Sequence, residues 1–304
     1  MNATVRELVR DSGVDVSDVE RVVEVALGED LRFGSDVTSE ATIPRDRTAR
    51  ARVVSRASGV VCGLAVALAV LDAVRFPVDH ATLIHRDGDA IAPGDSVLEL
   101  DGPILPLLLA ERTMLNLLSH LSGIATATSE WSRTLAGTGC EVRDTRKTTP
   151  GLRTLEKYAV RCGGGTNHRL GLGDAALIKD NHIEAAGGIA AAVAAIRARH
   201  PGLTLEVECD TLEQVREALE AHCSLILLDN MDLETITAAV AIIDESPAVR
   251  IEVSGGMTLE RARAVALAGV DYIAVGALTH SVTALDLGLD VESPPPIEGS
   301  RSRH

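Results

Sequence analysis

From Cys140 onward the sequence falls into a repeat that few folds can accommodate. Short apolar runs recur at 140–144, 175–180, 203–209, 224–229, 249–254 and 271–276. Runs of this length, rich in Val, Ile, Leu and Ala, read as strands buried on both faces of a sheet. The segments between them, 151–162, 184–199, 211–221, 232–244 and 258–269, space their apolar residues as helices do. Strand and helix alternating in this way predict βα units around a mostly parallel sheet. A complete eight-fold barrel takes roughly 250 residues; residues 140 to 285 offer only 146. The expected fold class is therefore α/β, a six-stranded barrel that is an incomplete version of the eight-fold form. A doubly wound open sheet is the competing topology.

Upstream the pattern is mixed. Residues 15–27 carry apolar positions at helical spacing, with Asp15 or Ser17 as N-cap, and 63–75 reads as an Ala/Leu helix. Residues 47–62 alternate and then run apolar, as strands do, and strand-like pieces at 81–86 and 95–100 flank a turn at Pro93 to Asp95. An α+β domain is expected over residues 1–112. Helical spacing from Pro106 to Leu135, through Arg112, Asn116 and His120, predicts one long helix or a pair broken near Gly123. The barrel domain is expected over 113–290. A flexible tail is expected over 291–304, where SPPPIEGSRSRH is rich in Pro, Ser and Gly.

Composition narrows the function. With one Trp, two Tyr and two Phe, the core has to be aliphatic. A formal net charge of −15 argues against nucleic acid or an acidic membrane surface as a partner, because both would repel the chain. No run approaches the ~20 apolar residues of a membrane span, and the polar start MNATVRELVRDSGVD does not resemble a secretory leader. Five cysteines without C-x-x-C spacing suit a reducing compartment rather than a disulfide or zinc framework. A soluble cytoplasmic protein is expected.

The basic residues are unevenly placed. Only three are lysine, and Lys147, Lys157 and Lys179 all fall between 147 and 179. Between Arg143 and His182 eight Lys and Arg stand against four acids, inside an otherwise acidic chain. A small cationic patch of this kind suits an anionic small molecule. Polar groups also gather where the expected strands end: Asp144 to Lys147, Lys179 to Asn181, Glu208, Asp229 with Asn230, Ser254 to Gly256, and Gly276. In parallel α/β folds, ligands bind outside the carboxyl ends of strands, so these groups are expected to face one bowl.

Within it, Arg146, Lys147, His168, Arg169 and Lys179 form a cation cluster combining planar forks with point charges. His168 taken alone reads more often as a hydrogen-bonded structural histidine than as a ligand. Its place just after Gly163 to Gly165 favours a ligand role, since glycines allow close backbone approach. Glu208 and Asp229 suit sugar hydroxyls or a magnesium ion carried by a phosphate substrate, or else salt bridges to nearby arginines. Ser254 to Gly256, ahead of a helix, and Gly276 with Ala277 offer backbone amides to phosphate. The cysteines show no nucleophile constellation and read as small buried apolar groups.

The stretch DTRKTTPGLRTLEKYAVRCGGGTNHRLGLGDAALIKDNHI (144–183) closely resembles the quinolinate phosphoribosyltransferase family. The resemblance extends through ERTMLNLLSHLSGIATAT (111–128), ILLDNM (226–231), VSGG (253–256), DYIAVGALTHS (271–281) and, upstream, ALGEDLRFGSDVTSEATIP (26–44). It implies an N-terminal α/β sandwich domain followed by a six-stranded α/β barrel. The implied reaction moves a 5-phosphoribosyl group from phosphoribosyl pyrophosphate to quinolinate with loss of CO2, giving nicotinate mononucleotide and pyrophosphate, with Mg2+ required. Carried over by motif, Thr145, Arg146, Lys147, His168, Arg169 and Lys179 surround the dicarboxylate and the pyrophosphate, with Arg146, Lys147 and Lys179 nearest the chemistry. Glu208 and Asp229 hold ribose hydroxyls and the metal, while Ser254, Gly255, Gly256, Val275, Gly276 and Ala277 bind phosphate. Arg112 is implied to come from a second subunit, so that a homodimer with shared sites is the smallest complete unit; further assembly to a hexamer stays open. One departure is Ser35, which intervenes in the family's Gly-Asp-x-Thr sequence between Gly34 and Asp36 and concerns the local turn. Rival readings are a paralogue that accepts nicotinate or another acid, a Schiff-base lyase using Lys147 or Lys179, and a non-catalytic sensor of the sugar donor.

Overall fold

The computed structural model describes residues 1–246 and 248–292. It divides into two compact units, one of residues 1–126 and 283–292 and the other of Ala127–Val282.

In the first unit, three helices open the chain, each capped by an acceptor side chain that satisfies an otherwise orphaned amide. Helix α1 (Ala3–Asp11) is capped by Asn2, α2 (Val16–Asp30) by Asp15 and α3 (Val37–Thr42) by Asp36. Ser35 therefore leaves the local turn intact, with Asp36 accepting from Ser39 N at 3.0 Å. There follow β1 (Thr48–Ser55), β2 (Gly59–Val60), the almost wholly buried α4 (Leu64–Ala73), β3 (Ala81–Leu83), β4 (Ala90–Ile91) and β5 (Ser96–Pro103). Along β1 the period of two decides the faces: Ala49, Ala51 and Val53 are buried while Arg50 and Arg52 point outward.

The helix expected from Pro106 is α5 (Ile104–Leu135), unbroken at Gly123. Pro106 falls in the first turn, where its missing N–H costs nothing. Gly123 acts by size instead: a Cβ there would collide with the carbonyl oxygen of Thr283.

The second unit carries the regular repeat: β6 (Glu141–Arg143), α6 (Arg153–Cys162), β7 (Ala176–Ile178), α7 (Asp180–Ala186), α8 (Ile189–Arg199), β8 (Leu205–Cys209), α9 (Leu212–Glu220), β9 (Leu225–Asp229), α10 (Leu233–Ile243), β10 (Arg250–Ser254), α11 (Leu259–Leu267), β11 (Tyr272–Ala274) and α12 (Ala277–His280). The single helix expected over 184–199 is two, parted at Gly187 and Gly188. All six strands pair in parallel, in the order β6-β11-β10-β9-β8-β7. Every strand after the first lies beside its successor, and the first pairs with the last. That circular order belongs to a barrel and excludes the doubly wound alternative, whose order reverses at a switch point. Between β6 and β7 an isolated parallel bridge, Arg143 to Thr166, stands beside the first strand.

The chain then returns to the first unit as β12 (Leu287–Glu292), which completes an antiparallel sheet of order β12-β1-β5-β3. Two expectations change accordingly. The division falls after Thr126 rather than after 112, because α5 is shared between the units. Residues 291 and 292 are strand rather than tail, paired with Ala51 and Arg50; the rest of the expected tail lies outside the described residues. None of the five cysteines forms a disulfide, and burial pushes the thiols of Cys140 and Cys209 up to about 12 and that of Cys223 to about 11. Cys62, Cys140, Cys209 and Cys223 are buried, as expected, whereas Cys162 is half-buried.

Candidate active site

Side chains two apart on a strand share a face, so each barrel strand sends alternate residues into the interior. From β7 and the residue after it come Leu177 and Lys179, from β8 Glu206 and Glu208, from β9 Leu227 and Asp229, and from β10 Glu252 and Ser254. At the carboxyl ends all of these groups but Glu206 line a cavity of about 560 Å3, together with Thr145, Arg146, Lys147, His168, Arg169, Asn230, Gly255, Gly256 and Ala274. Most of the expected strand-end groups thus converge, but Asp144, Asp180 and Asn181 are not in the lining. Arg112, Val275, Gly276 and Ala277 are not in this lining. Arg112 is an exposed residue of α5 in the first unit, and Val275 is buried. Gly276 sits behind Lys147: a Cβ there would press on Lys147 Cδ at 3.0 Å.

The lining is more balanced in charge than a simple cationic bowl. Lys179 Nζ is ion-paired with Glu208, whose side chain is 12% exposed. Asp229 Oδ2 accepts from the Asn230 side chain at 2.6 Å. Arg146 and Arg169 crowd each other: burial, and then the charge of Arg146, pull Arg169 below its usual range. Two like charges held close, one of them partly desolvated, make a strong anchor for an anion that relieves both. Gly255, at φ +90°, lies so close to Asn230 that a Cβ would collide with its amide oxygen, which keeps the backbone of the Ser254 to Gly256 turn open to a ligand.

Beneath the mouth lies a second layer that sequence reasoning missed. Arg143 Nη1 donates to Glu252 Oε2 at 2.6 Å, and its guanidinium stacks over the Tyr272 ring at 4.0 Å. Glu206 Oε2 bonds His168 Nε2 at 2.7 Å. Burial, followed by repulsion from Glu206, pushes the Glu252 carboxyl up to about 7. The signal was available, because Glu206 and Glu252 stand two residues before Glu208 and Ser254 and had to face the same interior.

The loops at the mouth are held from below by a buried ion pair. Lys157 and Asp144 are both fully buried and paired with each other. Lys157 Nζ also donates to the carbonyl of His168 at 2.9 Å, while Asp144 accepts the His168 amide at 2.9 Å and the Asn167 side chain at 2.5 Å. Burial pushes Asp144 up and Lys157 down, and their mutual attraction opposes both shifts. Of the three clustered lysines, then, Lys147 and Lys179 line the cavity and Lys157 serves the framework. His168 departs from expectation as well. Its Nδ1 accepts the Arg169 amide at 2.7 Å and its Nε2 faces Glu206, so it offers no ring nitrogen to a ligand.

A hollow of about 380 Å3 on the first unit's sheet is lined by Arg50, Arg52, Glu99 and Asp101. Its arginines are already paired, Arg50 with Asp101 at 3.3 Å and Arg52 with Glu292 at 3.1 Å. The strand-end cavity is the better candidate.

Comparison with known proteins gives this cavity its context. Residues 36–122 match the N-terminal domain, and residues 124–290 the C-terminal domain, of quinolinate phosphoribosyl transferase. The chain belongs to the quinolinate phosphoribosyltransferase family. It is 52% identical over 269 residues to the Mycobacterium leprae nicotinate-nucleotide pyrophosphorylase (carboxylating), covering 88% of this chain and 94% of that one. A Bacillus subtilis protein, a probable nicotinate-nucleotide pyrophosphorylase (carboxylating), is 43% identical over 268 residues, covering 86% and 90%. The solved structure of the nicotinate-nucleotide pyrophosphorylase from Francisella tularensis superposes with a TM-score of 0.85 at 37% identity, covering 92% of this chain and 98% of that one. As a quinolinate phosphoribosyltransferase family member, the chain has the parallel six-stranded sheet and the separate N-terminal sheet domain of its structural relatives.

Proposed function

We propose that this enzyme transfers the 5-phosphoribosyl group of phosphoribosyl pyrophosphate to the ring nitrogen of quinolinate. The 2-carboxylate leaves as CO2, and nicotinate mononucleotide and pyrophosphate are formed in de novo NAD biosynthesis. The carrying observation is the convergence of Arg146, Lys147, Arg169 and Lys179 on one cavity with Glu208 and Asp229, in a chain matched by both domains of the family.

Quinolinate brings two carboxylates and the sugar donor several phosphate charges, which repel at contact distance. The guanidinium forks of Arg146 and Arg169 and the ammonium groups of Lys147 and Lys179 neutralise them and hold the ring nitrogen against the sugar carbon. The amides of Ser254 to Gly256 receive phosphate. As the bond to pyrophosphate breaks, positive charge grows on the sugar, and the carboxylates of Glu208 and Asp229 accept its hydroxyls and stabilise that charge. Once the ring nitrogen is quaternary, its positive charge stabilises the electron pair left on the neighbouring ring carbon when CO2 leaves, and a proton from solvent then completes the C–H bond. No side chain has to act as a strong base.

Glu208 and Asp229 are hard oxygen donors at the cavity mouth, and they fit a magnesium ion that keeps most of its ligands from water and substrate phosphate. Such an ion supplies Lewis-acid stabilisation of the departing pyrophosphate. A homodimer with Arg112 completing the partner's site belongs to the same proposal. It accounts for Arg112 being exposed and outside the lining of its own subunit's cavity. A cytoplasmic setting fits the unbridged cysteines, and among the described residues no helix is long and apolar enough to cross a membrane.

The test is turnover of the two expected substrates with product masses recorded. Nicotinate mononucleotide, pyrophosphate and CO2 are expected from quinolinate; turnover of nicotinate with none of quinolinate would overturn the assignment.

A further inference from the structure

We infer that Glu206 is a positioning residue: through His168 it fixes the start of Arg169 and so the place of that guanidinium in the cavity. The inference rests on the cavity being the substrate site proposed above and assigns a role to a residue beneath it.

A backbone N–H can only donate, so His168 Nδ1, which accepts from Arg169 N at 2.7 Å, carries no proton. The ring proton therefore sits on Nε2 and is donated to Glu206 Oε2 at 2.7 Å. The main chain of the same residue is held on both sides, its amide by Asp144 and its carbonyl by Lys157, each at 2.9 Å. His168 is thus anchored at four points, two in the ring and two in the backbone. Arg169 leaves this fixed point toward the cavity, where its Nη1 meets the carbonyl of Ala175 at 3.3 Å. Of the four anchors, Glu206 is the one that sets the ring, and the ring carries the Arg169 amide.

The same placement removes a competing reading. His168, Glu206 and Glu252 bring ligand atoms within 4.8 Å of one another, as a metal site would. Glu206 Oε1 and Glu252 Oε1 are also buried without a hydrogen-bond partner among the described residues. A metal at Nε2 would have to take the place of the only ring proton while Nδ1 stays bare, leaving an imidazolate. The cluster is a hydrogen-bonded brace.

The test combines ring 15N NMR of histidine-labelled protein, without ligand at neutral pH, with steady-state kinetics of Glu206→Gln and Glu206→Leu. The His168 signal is identified as the one that moves in Glu206→Gln. Wild type should show a bare Nδ1 and a protonated Nε2. Glu206→Gln keeps an acceptor oxygen without charge and should keep both that signature and most of the turnover. Glu206→Leu should lose the signature and about a hundredfold in turnover, the scale of a displaced positioning group, while its melting curve shows that it is folded. Two protonated ring nitrogens in the wild type would overturn the inference, as would Glu206→Gln failing as badly as Glu206→Leu, since charge and not position would then matter. If Glu206→Leu does not fold, wild type and Glu206→Gln still decide. The NMR arm needs no substrate, so a wild-type enzyme that makes no nicotinate mononucleotide defeats the proposed function without touching it.

Discussion

Residues two apart on one strand have opposite fates in this barrel. Glu208 and Ser254 reach the mouth, whereas Glu206 and Glu252 stay in the floor, where each needs a protein partner to offset burial. That difference makes the floor sensitive to pH and the mouth sensitive to substitution. Lys147 is exposed, and only its backbone is tied down, by the Thr145 and Thr279 hydroxyls at 3.0 and 2.9 Å. Lys147→Ala should therefore shift stability by no more than about 0.5 kcal/mol. It should lower turnover on the order of a hundredfold, as loss of one preorganised charge does. Paired melting curves and rate measurements check it, and an unchanged rate removes Lys147 from the site.

Glu252 behaves in the opposite way. Its carboxyl is raised to about 7 from the ordinary 4.5, so across that window the folded chain holds a proton that the unfolded chain releases. Stability contributed by the neutral acid is complete below the lower value and is lost as pH climbs to the upper one. Melting temperatures between pH 5 and pH 7.5 should fall more steeply for wild type than for Glu252→Gln; parallel curves would contradict this.

Among the elements, α5 and β12 show how packing overrules local signals. Gly123 was legible as a helix breaker, yet the helix runs through it, because the absent side chain admits the carbonyl of Thr283. Gly28 in α2 faces open space instead, with no atom within 4 Å of where a methyl group would stand. The same change should then act with opposite signs. Gly28→Ala should stabilise by about 0.5–1 kcal/mol through helix propensity. Gly123→Ala should destabilise by about 1–3 kcal/mol through overpacking. Chemical denaturation of both variants is the check, and stabilisation by both would mean that the Thr283 segment does not pack as described. The six parallel strands were legible because runs buried on both faces leave a continuous apolar signal. Strand β12 was not, since LGLDVE has one buried end and one exposed end and its partner β1 lies more than 200 residues earlier.

For the molecule as a whole, the decisive matter is whether one chain makes a complete site. The cavity lining lies wholly in the second unit, and Arg112, in the first, is absent from it. If Arg112 serves a partner's site, Arg112→Ala and Lys147→Ala proteins, each inactive alone, should complement when mixed. Random pairing places one intact site in half of the dimers, which predicts about a quarter of wild-type activity. Mixed dimers demonstrated by mass but without activity would return Arg112 to its own subunit or remove it from the chemistry.

The amino-acid sequence alone determined the repeat of βα units, the aliphatic core and the strand ends where chemistry gathers, because burial and side-chain period are local properties of the chain. It also carried the motif of 144–183, and with it the family. The direction in which His168 turns, the burial of Lys157 and the brace formed by Glu206 were decided by the fold. Each depends on a partner 11 to 38 residues away, and only the folded chain brings those partners within hydrogen-bonding distance.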